Sequence, residues 1–279
     1  MNEHILTFGP GSHLVGTLTR PTGATKGTAI LLLNAGVIHR MGPHRINVKL
    51  ARRLAEDGFT VLRLDLSGQG DSDAPDGSLP FEQQAVKDLQ EAMNHLQRLT
   101  HTDSFALAGI CSGAHHGIAA AIDDDRLKAL WMMDPHAYPS AKTKWVRARK
   151  QLQLDFAGTL ARWVTKAWQI IRMRIDTRAP PDGEPPMLID NPYPTPPKSE
   201  FAGWIQTLLD KGVRLQVVYS GGMFWQYNHP SQWRETFSAF GRVAHVPCEL
   251  LPDVDHTAST LHAQRRLMDS VLKFVAHLP

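Results

Sequence analysis

The chain has only two cysteines in 279 residues, Cys111 and Cys248. Two are too few for a disulfide framework and fit a reducing compartment, the cytoplasm. No apolar run approaches the roughly 20 residues that span a bilayer, so no transmembrane segment is expected. The opening MNEHILTFGPGSH lacks a basic stretch followed by an apolar core, so no secretory signal is expected either. The formal net charge is only +3 and no recognition motif accompanies it, which argues against a nucleic-acid partner. No metal constellation stands out. The turn DLSGQGDS at 65–72 lacks the lysine that a phosphate-cradling loop needs, so no cofactor is expected. Internal repeats are absent.

What remains is an alternation of apolar runs and helical periodicities, the pattern of a mostly parallel sheet wound with helices. Strands are expected at Thr28–Asn34, Phe59–Leu66, Ser104–Ile110, Leu127–Met133, Val213–Ser220 and Cys248–Leu251. Helices are expected at 43–57, 81–99, 113–122 and 260–277, the second from its apolar i, i+3/i+4 spacing. Between Asp134 and Val213 the rhythm stops. Ala141–Ile175 reads as a long helical stretch, and Ala179–Pro197 holds eight prolines, too many for a regular element. The division expected is therefore a core of residues 1–135 and 213–279 with a helical and Pro-rich lid at 136–212.

The chemistry concentrates at GICSG, residues 109–113. A strand, a sharp Gly-flanked turn and a helix form the setting in which G-x-nucleophile-x-G has meaning, because the apex side chain projects above the sheet at a helix N-terminus. The apex is Cys111. Ser112 follows it, where the useful group is its backbone N–H aimed at an oxyanion. The plainer alternative is that Cys111 is a small buried apolar residue, as most free cysteines are; Cys248 is read that way.

A base is expected in a loop after the last strand, which selects His256 in PDVDHTAST. The acid is less obvious, since SGGMFWQYN after Val213–Ser220 contains none. Asp134, at the tip of the preceding strand, is taken as the carboxylate that orients the imidazole, against the alternative of a turn aspartate before proline. Glu235 and Asp253 stay open. The second oxyanion donor is expected from the N–H of Val37 in NAGVIHRMGPHR. His39 and Arg40 in that mouth, together with His115 and His136, are the substrate-binding candidates.

These motifs resemble the α/β-hydrolase superfamily. The likeness is carried by GICSG, by DLSGQGDS (similar to D-x-x-G-x-G-x-S), by NAGV at 34–37 and by DH at 255–256, and covers roughly 28–135 and 213–275. It implies an eight-stranded, mostly parallel sheet with helices on both faces and a triad in the order nucleophile, acid, histidine, matching Cys111, Asp134 and His256. Two departures stand out: a cysteine where most members carry serine, and an acid one strand early. Cysteine elbows are known in dienelactone hydrolases, which hydrolyse, and in polyhydroxyalkanoate synthases, which transfer acyl groups.

An acyl-transfer enzyme acting on a small ester or thioester through acyl-Cys111 is therefore expected, with release to water first and transfer to an amine, alcohol or thiol second. A non-catalytic binder on the same scaffold is the third reading. The expected lid carries nine basic residues between Lys142 and Arg174 against the single acid Asp155, a surface suited to an acidic partner such as an acyl carrier protein, or to an anionic membrane surface. A basic lid that simply faces water is the competing view.

Overall fold

The computed structural model describes residues 2–75, 77–154 and 194–279. Eight strands form one sheet: β1 (Asn2–Phe8), β2 (Leu14–Arg20), β3 (Thr28–Leu33), β4 (Thr60–Leu64), β5 (Ser104–Ile110), β6 (Leu127–Met133), β7 (Arg214–Ser220) and β8 (Cys248–Leu251). Their order is β1-β2-β4-β3-β5-β6-β7-β8. β1 and β2 pair antiparallel, β2 meets β4 antiparallel, and every later pairing is parallel. The helices are α1 (Ile46–Glu56), α2 (Phe81–Thr100), α3 (Ser112–Asp123), α4 (Ala141–Leu154), α5 (Lys198–Asp210), α6 (Gln232–Thr236) and α7 (Leu261–Val275).

Continuous apolar runs become central strands because both faces of a parallel sheet are covered. In β3, Ala29, Leu31 and Leu33 enter the core beneath α2, α3 and α5, while Ile30 and Leu32 enter the core beneath α1 and α7. β5 divides the same way, Phe105 and Leu107 to one face, Ala106, Ala108 and Ile110 to the other. Each Leu, Ile or Phe among them contributes roughly 1.5–3 kcal/mol on leaving water before chain entropy is set against it, and each Ala well under half of that. α2 seats Ala85, Leu89, Ala92, Met93 and Leu96 on the first face, as its periodicity requires.

Three expectations shift. The hairpin β1–β2 was not among the expected strands: its residues alternate with polar ones, and β1 is largely exposed. Residues 43–45 form a tight 3-10 turn, with His44 and Arg45 at positive φ, so the helix begins at Ile46. In the segment expected as lid, Lys198–Asp210 forms α5, which buries Phe201, Ala202, Ile205 and Leu208 in the core, so core packing resumes before Val213. The expected helix Ala141–Ile175 is described only as α4. Its remainder, and most of the proline-rich stretch, lie outside the described residues.

β3 lies between β4 and β5, so the order in which successive strands are added switches sides between the parallel neighbours β3 and β5. A crevice outside the carboxyl ends of strands at such a switch point is where open α/β sheets bind ligands. The mouth loop leaves β3 there and the elbow leaves β5 beside it.

Candidate active site

Cys111 caps the N-terminus of α3 with φ 54° and ψ −115°, a region most side chains avoid. Its N–H is held by the Met133 carbonyl at 2.8 Å, and its own carbonyl accepts from Ala114 N–H at 3.0 Å. Such strain costs of order 1–3 kcal/mol and persists only where the surroundings impose it. The flanking glycines permit it. A Cβ on Gly109 would stand 2.5 Å from the Gly113 carbonyl oxygen, and one on Gly113 would stand 2.7 Å from the Asn34 carbonyl oxygen. Helix, elbow and mouth loop therefore touch backbone to backbone.

His256 reaches this apex from the loop after β8. Its Nδ1 lies 2.7 Å from Asp134 Oδ2, and the Cys111 thiol is within hydrogen-bonding reach of the same imidazole. The hydrogen bond to Asp134, then that to Cys111, raise the imidazole pKa to about 10 against the opposing effect of burial. Asp134 is buried at the tip of β6 and also has positive φ, 53°. Its carboxylate accepts Ser220 N–H on Oδ1 and Ser220 Oγ–H on Oδ2, each at 2.7 Å. Ser220 ends β7, so the strand without an acid supplies two donors to the acid of its neighbour. Gly222 lets the histidine loop close in, since a Cβ there would meet His256 N at 2.9 Å.

The other acids weighed from sequence are engaged elsewhere. Glu235 accepts from Ser231 at 2.6 Å and Asp253 pairs with His262 at 2.5 Å. Asp255, next to His256 in sequence, accepts from Ser259 N–H at 2.7 Å. Cys248 is half-buried and touches the Tyr227 hydroxyl at 3.2 Å; burial raises its thiol to about 12, far from a nucleophile's range.

At the mouth, Ser112 is buried and its Oγ accepts Gly36 N–H at 2.6 Å. As the first residue of α3, its own N–H has no intrahelical acceptor. Val37 lies in a turn closed by Ile38 N–H to the Ala35 carbonyl at 3.2 Å, with its side chain 80% exposed. Asn34 fixes this loop by donating to the His39 carbonyl at 2.6 Å.

His39 and Arg40 are not brought to the elbow contacts. Arg40 is buried, and its Nη1 donates to Asp65 at 2.5 Å and to Asp71 at 2.7 Å, while Nε reaches Thr17 at 3.1 Å. His39, Asp65 and Asp71 are spaced as metal ligands could be, but the guanidinium already occupies their centre. DLSGQGDS thus acts as a staple. Asp65 receives Arg40, and Ser72 Oγ ties the Asp65 carbonyl to Val15 N–H at 2.8 Å each.

His115 and His136 are brought together. Their rings stack at 3.9 Å and 10°, against the wall of a cavity of about 940 Å³. Burial holds both imidazoles well below the ordinary value, His115 at about 3 and His136 at about 4, hence neutral at physiological pH. Phe201 and Trp204 of α5 complete the aromatic cluster at 5.5 and 6.5 Å from His136. Sequence reading missed Ser220, Gly222 and Trp204. The SGG that closes β7 is the one available signal for the first two: a hydroxyl and two small residues at a strand tip.

The sheet, the elbow and the loop histidine define an α/β-hydrolase. Within that class the chain belongs to the Hydrolase_4 family, described as serine aminopeptidase, S33, whose profile matches residues 32–193, more than half of the chain. A curated relative, the uncharacterised protein YcjY of Escherichia coli, is 34% identical over 82 residues, 29% of this chain and only 27% of that protein. The Pyrococcus furiosus esterase Pf2001 superposes with a TM-score of 0.59 at 12% identity, covering 100% of this chain and 92% of that one. XC6422 from Xanthomonas campestris, a serine hydrolase without lid, gives 0.56 at 17% identity over 100% and 96%. The thioesterase domain from the curacin biosynthetic pathway gives 0.54 at 14% over 98% and 100%. These likenesses are of fold.

Proposed function

We propose that this hydrolase cleaves an ester or thioester through an acyl-Cys111 intermediate. The observation that carries the reading is the continuous contact from the apex thiol through His256 to the buried, doubly supported Asp134. The thiolate attacks the substrate carbonyl carbon, and the carbonyl electrons move onto oxygen. That oxyanion is stabilised by the N–H groups of Ser112 and Val37, at the positive end of α3. As the tetrahedral species collapses, the imidazolium gives its proton to the departing alcohol or thiol. His256 then takes a proton from water, the hydroxide adds to the thioester, and the acid leaves with Cys111 restored. Asp134 keeps Nδ1 protonated so that Nε2 faces the reaction throughout. A thiol needs less activation for this than a serine hydroxyl, and an imidazolium partner favours the thiolate.

A second reading is transfer of the acyl group from a carrier-bound thioester, with residues after Asp134 acting as the lid. It is favoured by α4, which carries Lys142, Lys144, Arg147, Arg149 and Lys150 and no acid of its own, Lys142 reaching Glu235 at 3.5 Å, and on which Trp145 is 61% exposed. Such a surface would steer an acidic carrier domain. Intact-protein mass spectrometry after a panel of acyl-thioesters, with and without acceptors, tests both. An acyl adduct on the wild type and none on Cys111→Ala is expected. Free acid alone with every acceptor removes transfer, and undiminished turnover by Cys111→Ala removes the acyl-cysteine.

A further inference from the structure

The mouth loop between β3 and α1 is held by two asparagines. Asn34, directly after β3, and Asn47, in the first turn of α1, are both buried. Asn47 Nδ2 donates to Asn34 Oδ1 at 2.7 Å. Asn34 Nδ2 in turn donates to the carbonyls of His39 at 2.6 Å and Ile38 at 3.4 Å. An amide that accepts on its oxygen and donates from its nitrogen has one orientation open to it, so the relay has a direction. The main chain of Asn34 abuts the elbow, because a Cβ on Gly113 would stand 2.7 Å from its carbonyl oxygen. One residue thus joins the elbow to the far side of the loop.

The N–H groups of the loop show what is being held. Gly36 N–H is bound by Ser112 Oγ at 2.6 Å, and Ile38 N–H by the Ala35 carbonyl at 3.2 Å. Val37 N–H, between them, has no acceptor among the described residues. It is flanked on one side by the clamp to the residue after Cys111, and on the other by the carbonyls that Asn34 grips. Gly36 and Gly42 have φ of 51° and 74°, so no regular backbone pattern holds the loop by itself. An oxyanion donor is effective only when it is already aimed, about 2.7–3.1 Å from where the charge develops.

We infer that Asn34 and Asn47 are positioning residues for the reaction: their relay aims the Val37 N–H at the oxyanion. Asn34 acts by direct contact with the loop, and Asn47 by fixing the Asn34 amide. A buried amide is costly unless its hydrogen bonds are made. Leucine at 34 would continue the apolar run of β3 but could not grip the two carbonyls. The inference rests on the proposed oxyanion role of Val37 and not on the identity of the nucleophile.

The test compares ester turnover with alkylation, using p-nitrophenyl butyrate and iodoacetamide. Acylation and deacylation both pass through an oxyanion, whereas displacement of iodide by the Cys111 thiolate forms none. In Asn34→Leu, kcat should fall about 10- to 100-fold, up to the value of one whole donor, with KM and the Cys111 alkylation rate within about threefold of wild type. Asn47→Leu leaves Asn34 in place with its amide free to turn, and should lower kcat about three- to tenfold, a fraction of that value. The double variant should be no slower than Asn34→Leu alone, because Asn47 acts only through Asn34. Circular dichroism establishes which variants fold; where Asn34→Leu does not, Asn47→Leu carries the test.

Wild-type kcat in folded Asn34→Leu, or in Asn47→Leu where the first fails to fold, overturns the inference. So does a parallel loss of alkylation rate, which marks general damage to the site, and so do losses that multiply in the double variant. Failure of the acyl-cysteine reading looks different. In that case Cys111→Ala still turns over the ester while Asn34→Leu still lowers kcat.

Discussion

Ser220 donates to Asp134 twice, from its N–H to Oδ1 and from its hydroxyl to Oδ2, both at 2.7 Å. The acid therefore stands at the end of β6 and its support at the end of β7. A buried carboxylate needs such donors, because desolvation otherwise favours its neutral form. With His256 Nδ1 as the third partner, both oxygens of Asp134 are engaged and its charge is directed at one imidazole. The strand that lacks an acid thus contributes to the site through a hydroxyl and an amide.

Ser220→Ala removes one of these donors and leaves the backbone one. Hydrogen bonds to charged groups contribute about 1.5–3 kcal/mol, so a loss of that order is expected in urea unfolding, with the reaction slowed but retained. Asp134→Asn should be more severe, lowering kcat about 10²–10⁴-fold, since an amide can hold the wrong imidazole tautomer. Its His256 titration should also move down, as the largest upward influence on that group is removed. NMR of the imidazole against pH separates the two variants. An Asp134→Asn enzyme with unaltered kcat would remove Asp134 from the mechanism.

Stability should pass through a maximum near pH 6.5. His256 is raised to about 10, so its contribution is complete below its unfolded value near 6.5 and is lost as pH climbs towards 10. His115, His116 and His136 behave oppositely: burial lowers them to about 3, 4 and 4, so the unfolded chain takes up protons that the native one refuses. Stability then falls as pH drops from 6.5 towards 4. Burial also lowers His95 and His229, which adds to the acid limb between pH 6.5 and 4, whereas the buried Cys248 thiol, raised to about 12, adds to the alkaline loss only above its unfolded value near 9; the acid limb should be the steeper of the two around neutrality in urea titrations. His136→Phe, which has no group to protonate, should flatten it.

Cys111 and Ser112 are separable by the same kind of substitution. Ser112 Oγ accepts from Gly36 N–H and is buried, so its hydroxyl is engaged in holding the mouth loop. Ser112→Ala should cost about 1 kcal/mol of stability and leave turnover within roughly tenfold. Cys111→Ala should abolish turnover. Iodoacetamide labelling provides an independent readout: fast modification of Cys111 in both wild type and Ser112→Ala, and slow modification of Cys248, whose thiol is raised to about 12. Equal labelling of the two cysteines would argue against activation at the elbow.

The central strands were legible because residues 28–33, 104–110 and 127–133 are apolar on both faces, a pattern that few other structures need. The elbow was legible because two glycines at fixed spacing answer a steric demand, contact of the Gly113 backbone with Asn34. The hairpin β1–β2 was not, since its outward residues read as ordinary surface. Nor was the role of Arg40. In sequence it is one of several cations at a loop mouth, and only the fold brings Asp65, twenty-five positions later, onto its guanidinium. The helix α5 falls within the expected lid because prolines precede it, although Phe201, Ile205 and Leu208 at i, i+4, i+7 already carry the pattern of a core-facing helix.

Arg40 gives the clearest test of structural against substrate-binding roles at the mouth. Its partner Asp65 has a side chain 1% exposed, whereas Asp71 is 59% exposed, so the pair with Asp65 dominates. Removing one member of a buried pair leaves the other charge uncompensated and costs about 3–5 kcal/mol. Arg40→Met should therefore lose stability on that scale in urea unfolding, although Asp65 keeps the Arg40 and Asp71 backbone N–H groups as donors. Asp65→Asn in the same background should recover part of the loss, because it removes the orphaned charge. Measured below the unfolding transition, kcat/KM should stay within a few-fold of wild type. A large rise in KM with unchanged stability would instead mean that the guanidinium leaves Asp65 to hold substrate.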